Sequence, residues 1–147
     1  MRETELYPPI KSFLEGQGYE VKSEIGAVDV VALRGGEAPV VVEMKTGFAL
    51  TLFHQCIARQ AVTDDVYLAV PRLTGKRFAR SLKENVTLAR RLSLGVITCA
   101  CLMVWLSALR PRTLQATQIE EAPKRIAARN LQNARLIRMR GGKRAQG

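Results

Sequence analysis

The sequence predicts an α/β domain built on a mixed central sheet flanked by helices, followed by a basic helical tail. Three observations lead there. Short Val-rich runs recur between Gly, Pro and Asp signals, as strands do. Longer stretches between some of these runs carry apolar residues at helical spacing. The charge is also uneven, with 13 basic and 11 acidic side chains in residues 1–106 but 10 basic and 2 acidic in residues 107–147.

Residues 4–15 predict a helix entered through Pro8 and Pro9, with Leu6, Ile10, Phe13 and Leu14 as its apolar stripe and Gly16 and Gly18 as its stop. Residues 20–24 and 27–33 predict two strands. Arg34-Gly-Gly-Glu37 predicts a tight hairpin turn into a third, apolar strand over residues 40–45. Residues 49–61 predict a second helix with Leu50, Phe53, Ile57 and Ala61 on its inner face. A fourth strand over 66–70 ends at Pro71, and a third helix over 75–92 is basic on its outer side. The 18 uncharged residues between Arg91 and Arg110 reach the lower limit for a membrane span. Their Ser, Thr and Gly content and their β-branched residues predict one or two buried strands over 95–106 instead. A hairpin first and crossover helices afterwards imply a mixed sheet with helices on both sides.

A chain of 147 residues, 47% apolar and 24% charged, suits one folded domain with an appendage. The boundary is expected at residue 110, with residues 111–147 forming a linker and a helix over 120–140. The net charge of +10, carried by 16 Arg and 7 Lys, points to a polyanionic partner. Aromatic residues are only 5%, which argues against a stacking platform for single strands. Three cysteines cannot form a disulfide framework. The Cys99-x-Cys101 pair lacks the second pair that a zinc site needs, so Cys56, Cys99 and Cys101 are expected as buried reduced thiols. The N-terminus lacks the apolar core of a secretory signal, so a cytoplasmic protein without membrane attachment is expected.

The chemistry centres on Asp29, Glu43 and Lys45. Asp29 interrupts the second strand and Glu43 the third, and a charge in a Val-rich strand is costly unless it is paired or ligates something. The alternation of a strand puts Glu43 and Lys45 on one face, with Asp29 on the neighbouring strand. Two carboxylates and a lysine form a set suited to Mg²⁺ and to phosphoryl chemistry. On the second helix, Gln55 and Arg59 are four residues apart and share a face, which is expected opposite the apolar stripe. Arg72, Lys76, Arg77 and Arg80 could contact phosphates, although a solvated helix face explains them almost as well. His54, the sole histidine, is expected at the surface or in packing.

Asp29 followed by Glu43-Met44-Lys45, on that order of elements, resembles the signature of the PD-(D/E)XK nuclease superfamily. The stretch from Leu6 to Tyr19, and Gln55-x-x-x-Arg59 with Thr63-Asp-Asp-Val-Tyr-Leu-Ala-Val-Pro71, are similar to a bacterial group of PD-(D/E)XK-type phosphodiesterases of unknown function. The resemblance covers residues 3–110. It implies a restriction-endonuclease-like fold and a nuclease that hydrolyses phosphodiester bonds, with DNA as the first expected substrate. It also implies Asp29 and Glu43 as ligands of Mg²⁺ (or Mn²⁺), Lys45 as the catalytic lysine, Glu5 as an assisting acid and Gln55 as a polar support. Arg59, Arg72, Lys76, Arg77 and Arg80 would then face nucleic acid, and a homodimer is compatible with the family's habits. Val28 stands where the signature has proline, and the chain ends earlier than members of that group, as expected of a shortened copy. Two rivals are a non-catalytic nucleic-acid-binding module that keeps the fold, and an RNA-binding protein that acts through its basic tail alone.

Overall fold

The computed structural model describes residues 2–100 and 103–108. Three helices and an open mixed sheet follow one another as α1 (Glu3–Glu15), β1 (Glu20–Ile25), β2 (Val28–Leu33), β3 (Val40–Met44), α2 (Leu50–Arg59), β4 (Val66–Pro71), α3 (Lys76–Arg91), β5 (Gly95–Ala100) and β6 (Met103–Ala108). The strands lie in chain order across the sheet. β1, β2 and β3 pair antiparallel, β3, β4 and β5 pair parallel, and β6 returns antiparallel to β5. The expected order of elements is therefore observed. The uncharged stretch after Arg91 resolves into β5 and β6, and among the described residues no helix is long and apolar enough to cross a membrane. The expected boundary at 110, the helix over 120–140 and Cys101 lie outside the described residues.

The two faces of the sheet bury different helices. Leu6, Ile10 and Leu14 of α1 pack with Val30, Val40, Val42, Met44, Tyr67 and Ile97 on one side. Leu52, Phe53 and Cys56 of α2, with Val86 and Ala89 of α3, pack with Val41, Leu68, Val70 and Val96 on the other. β3 and β4 are buried along their whole length, which is why they read as continuous apolar runs. β1 is an exposed edge strand, and it carries Glu20, Lys22 and Glu24, charges of the kind that discourage edge-to-edge pairing.

Two local readings need correction. α1 begins at Glu3, so Pro8 and Pro9 lie inside it and not in its first turn. Burial of Leu6, Pro9, Ile10 and Leu14 holds these turns helical despite two missing N–H donors. The inner face of α2 is Leu52, Phe53 and Cys56, whereas Leu50 is 68% exposed and Ile57 43%. The helix is thus rotated from the stripe of Leu50, Phe53, Ile57 and Ala61. The expected tight turn over Arg34-Gly-Gly-Glu37 is observed, the Glu37 N–H donating to the Arg34 carbonyl at 3.1 Å, within a β2–β3 connection of six residues. Its Arg34 bonds Glu37 through two nitrogens (3.1 and 2.9 Å), reaches the Gln17 carbonyl at 2.8 Å, and lies 4.3 Å from the centre of the Tyr19 ring. That Arg34 network closes the loop against the end of α1.

Gly95 pairs with Tyr67 between β5 and β4. A methyl group on Gly95 would fall inside the Tyr67 ring, so only glycine lets the strands approach here. Gly95→Ala is therefore expected to destabilise the fold by about 3 kcal/mol, read as a lower urea midpoint at unchanged slope.

Candidate metal-dependent active site

The site begins where β2 and β3 stop pairing. Their ladder runs from Ala32–Val40 to Val30–Val42 and ends there. Asp29 and Glu43 are the next residues on each strand, on the face that α2 covers. In place of a strand carbonyl, the Asp29 carboxylate accepts the Met44 N–H, Oδ2 lying 2.7 Å from the nitrogen. The β1–β2 ladder is irregular at the same level. Glu24 and Asp29 fall between the pairs Ser23–Val30 and Ile25–Val28, and Glu24 has a φ of +53°.

Glu43 is the one charged residue among the buried polar side chains of the described chain. Its side chain is 1% exposed, and its Oε1 accepts from Arg59 Nε at 2.5 Å. The Arg59 guanidinium also donates to the Ala27 carbonyl in the β1–β2 turn, so α2, β3 and that turn are tied together by one side chain. The other oxygen, Glu43 Oε2, is buried and has no hydrogen-bond donor among the described residues. The same holds for Gln55 Oε1, one turn before Arg59 on α2. Burial pushes the Glu43 carboxyl above the usual glutamate range. The Arg59 hydrogen bond opposes that shift and the nearby Asp29 charge adds to it.

Lys45 lies just past the end of β3, so strand alternation does not fix its direction. Its Nζ is 3.4 Å from Glu3 Oε1, with the two side chains 31% and 43% exposed. Glu5, the expected assisting acid, instead closes the N-terminus of α1, its Oε2 accepting the Arg2 N–H at 2.7 Å. The acid that reaches the lysine is thus Glu3, two residues earlier. Glu3 was not among the expected site residues, and helix capping accounts for Glu5.

The expected phosphate-contacting residues divide. Arg59 is placed on Glu43 and not at an open surface. Arg80 is exposed and pairs with Glu84 at 3.0 Å. Arg72, Lys76 and Arg77 lie exposed where β4 leads into α3, with Arg72 Nη1 3.4 Å from Thr98 Oγ1. His54 is exposed. Cys56 and Cys99 are buried as expected, and burial pushes both thiols up to about 12.

The residues present fit a small hard cation. Among the described residues no group of three or more His, Cys, Asp and Glu side chains could hold a metal ion. Mg²⁺ does not ask for one, since it binds through one or two carboxylates and keeps several waters. Asp29 and Glu43 would supply those carboxylates, and the donors without a partner among the described residues, Glu43 Oε2 and Gln55 Oε1, are both oxygens, as Mg²⁺ prefers. No protein-family model, curated protein or solved structure matches this chain.

The Arg59–Glu43 pair gives a stability prediction. Arg59→Met removes the donor from a carboxylate that stays buried, and is expected to cost about 3 kcal/mol. Chemical denaturation at neutral pH checks it. In the Glu43→Gln background, where no buried charge remains, the same change is expected to cost less than half as much.

Proposed function

We propose that this chain is a Mg²⁺-dependent phosphodiesterase of restriction-endonuclease-like fold that hydrolyses nucleic-acid phosphodiester bonds, with DNA as its first substrate. The observation that carries this reading is Glu43 Oε2, a carboxylate oxygen buried in the central sheet near Asp29 without a donor among the described residues; Gln55 Oε1 on α2 is likewise buried without one. A buried carboxylate oxygen needs a partner, and a bound cation is one that an all-oxygen environment would suit. The resemblance in Asp29, Glu43-Met44-Lys45 and Gln55 supports the same chemistry, as does the order of elements around them.

In this reading Asp29, Glu43 and the Gln55 amide oxygen would hold Mg²⁺. When bound, Mg²⁺ supplies a Lewis acid for the phosphate and makes a water acidic enough to attack. Met44 N–H fixes the orientation of the Asp29 carboxylate, and Arg59 fixes that of Glu43 by occupying Oε1 and leaving Oε2 inward. Lys45, part-exposed and paired among the described residues only with the part-exposed Glu3, would place a positive charge where negative charge develops on the phosphoryl oxygens.

The Arg59–Glu43 pair also favours a second reading. It neutralises Glu43 without any metal, as a non-catalytic binding module would require. Cleavage separates the two. Supercoiled plasmid and single-stranded DNA are incubated with the protein in Mg²⁺, Mn²⁺ or chelator, beside Lys45→Ala. The phosphodiesterase reading expects cutting in either metal, none in chelator, and a loss of about a hundredfold or more in Lys45→Ala. No cutting in any metal, with equal DNA binding in Mg²⁺ and chelator, would establish the binding module instead.

A further inference from the structure

A cleft of about 310 Å³ opens at the carboxyl ends of β3 and β4, between the segment that follows Lys45 and the start of α3. Ligands of open α/β sheets bind at this end of parallel strands. Its lining is mostly apolar, with Phe48, Pro71, Leu73 and Phe78 among the contributors, and Arg77 joins them. Leu73 is 58% exposed, a large apolar side chain left in solvent beside this cleft. Two of the chain's four phenylalanines meet here, so a low overall aromatic content conceals a local concentration.

Basic side chains predominate around the cleft, with Arg80 paired to Glu84 at 3.0 Å. Arg72, Lys76, Arg77 and Arg80 lie between the end of β4 and the first turns of α3. The only acids between Thr46 and Lys83 are Asp64 and Asp65, which precede β4 and so lie at the opposite end of the sheet. A ligand for this place needs an apolar body with an aromatic face and at least one negative charge. A nucleotide has both, the base for Phe48 and Phe78 and the phosphate for Arg77. The volume admits one base with its sugar, and a base can enter only when it is unpaired.

We infer that this cleft binds an unpaired nucleotide, so that the nucleic acid taken by this chain is single-stranded next to the phosphate presented to Lys45. The inference rests on the phosphodiesterase reading for its place in a reaction, since Thr46 of the cleft directly follows Lys45. It does not rest on that reading for binding. A base held beside the scissile phosphate would fix the strand's register without reading its sequence, because every base has a π-face.

The test is fluorescence anisotropy of the full chain with a labelled single-stranded DNA oligonucleotide and with its duplex. Chelator prevents cutting, and raised salt suppresses the nonspecific contribution of the basic tail. The single strand is expected to bind at least about tenfold more tightly than the duplex. Phe78→Leu keeps apolar volume and removes the ring, and is expected to weaken single-strand binding about tenfold while leaving duplex binding unchanged. Phe78→Tyr is expected to restore it, which a merely structural role would not require of the ring. Arg77→Ala is expected to weaken binding of both and to lower the salt slope by about one. Thermal unfolding confirms that each variant is folded.

Duplex binding as tight as single-strand binding overturns the inference. So does a folded Phe78→Leu protein that binds the single strand like the wild type. Preferential capture by vesicles of an anionic phospholipid, lost in Phe78→Leu, overturns it in favour of a lipid surface. The two readings fail separately. Metal-dependent cutting without a Phe78 effect removes the cleft and keeps the phosphodiesterase. A Phe78 effect without any cutting keeps the cleft and removes the phosphodiesterase.

Discussion

The burial of one carboxylate shapes the site end of this molecule. Glu43 lies in the middle of a sheet covered on both faces, in a strand otherwise made of Val and Met. An isolated charge there would be prohibitively costly, so the neighbouring elements are arranged around it. α2 turns Arg59 inward instead of outward, and the same rotation carries Gln55 toward the sheet and exposes Leu50 and Ile57. The β1–β2 turn contributes the Ala27 carbonyl to the same guanidinium. Only half of the carboxylate is satisfied by all this, and the unsatisfied half is the feature that function would use.

The second ingredient is the end of a ladder. Where β2 and β3 stop pairing, the backbone N–H of Met44 would lose its partner, and the Asp29 side chain replaces it. One local defect thus positions two acids on adjacent strands, each held by a hydrogen bond on one oxygen. On the other side of β3, α1 brings Glu3 to Lys45, so that all three layers of the domain converge at the carboxyl end of one strand. Sites that depend on such convergence give up some stability to hold charged and donorless groups together. Burial pushes the Glu43 carboxyl upward, in the direction such a cost would take.

Much of this was legible in the sequence. The order of helices and strands could be read because periodicity of two or 3.6 residues survives wherever burial is one-sided, and continuous apolar runs mark β3 and β4. Asp29, Glu43 and Lys45 stood out because charges are expensive in such runs. The face of α2 did not come through for the same reason. Hydrophobicity selects Leu50, Phe53, Ile57 and Ala61, whereas the buried helix face holds Leu52 and Cys56 beside the polar Gln55 and Arg59, whose inward direction depends on a carboxylate in another element. Glu5 was expected and Glu3 was missed, because the difference lies in which of them closes the helix N-terminus. The Phe48–Phe78 cleft was hidden because composition averages over the chain, while the fold brings together residues 30 positions apart.

The central claim is that the half-satisfied Glu43 carboxylate is a metal ligand, and Mn²⁺ binding tests it without requiring any substrate. Electron paramagnetic resonance titration of the full chain with Mn²⁺ counts bound ions directly. The account predicts a single saturable site, with affinity lowered at least about tenfold in Asp29→Asn and in Glu43→Gln, and less so in Gln55→Ala. Weak, unsaturable binding that is the same in wild type and in all three variants would contradict it. Glu43 would then be a structural partner of Arg59 and nothing more.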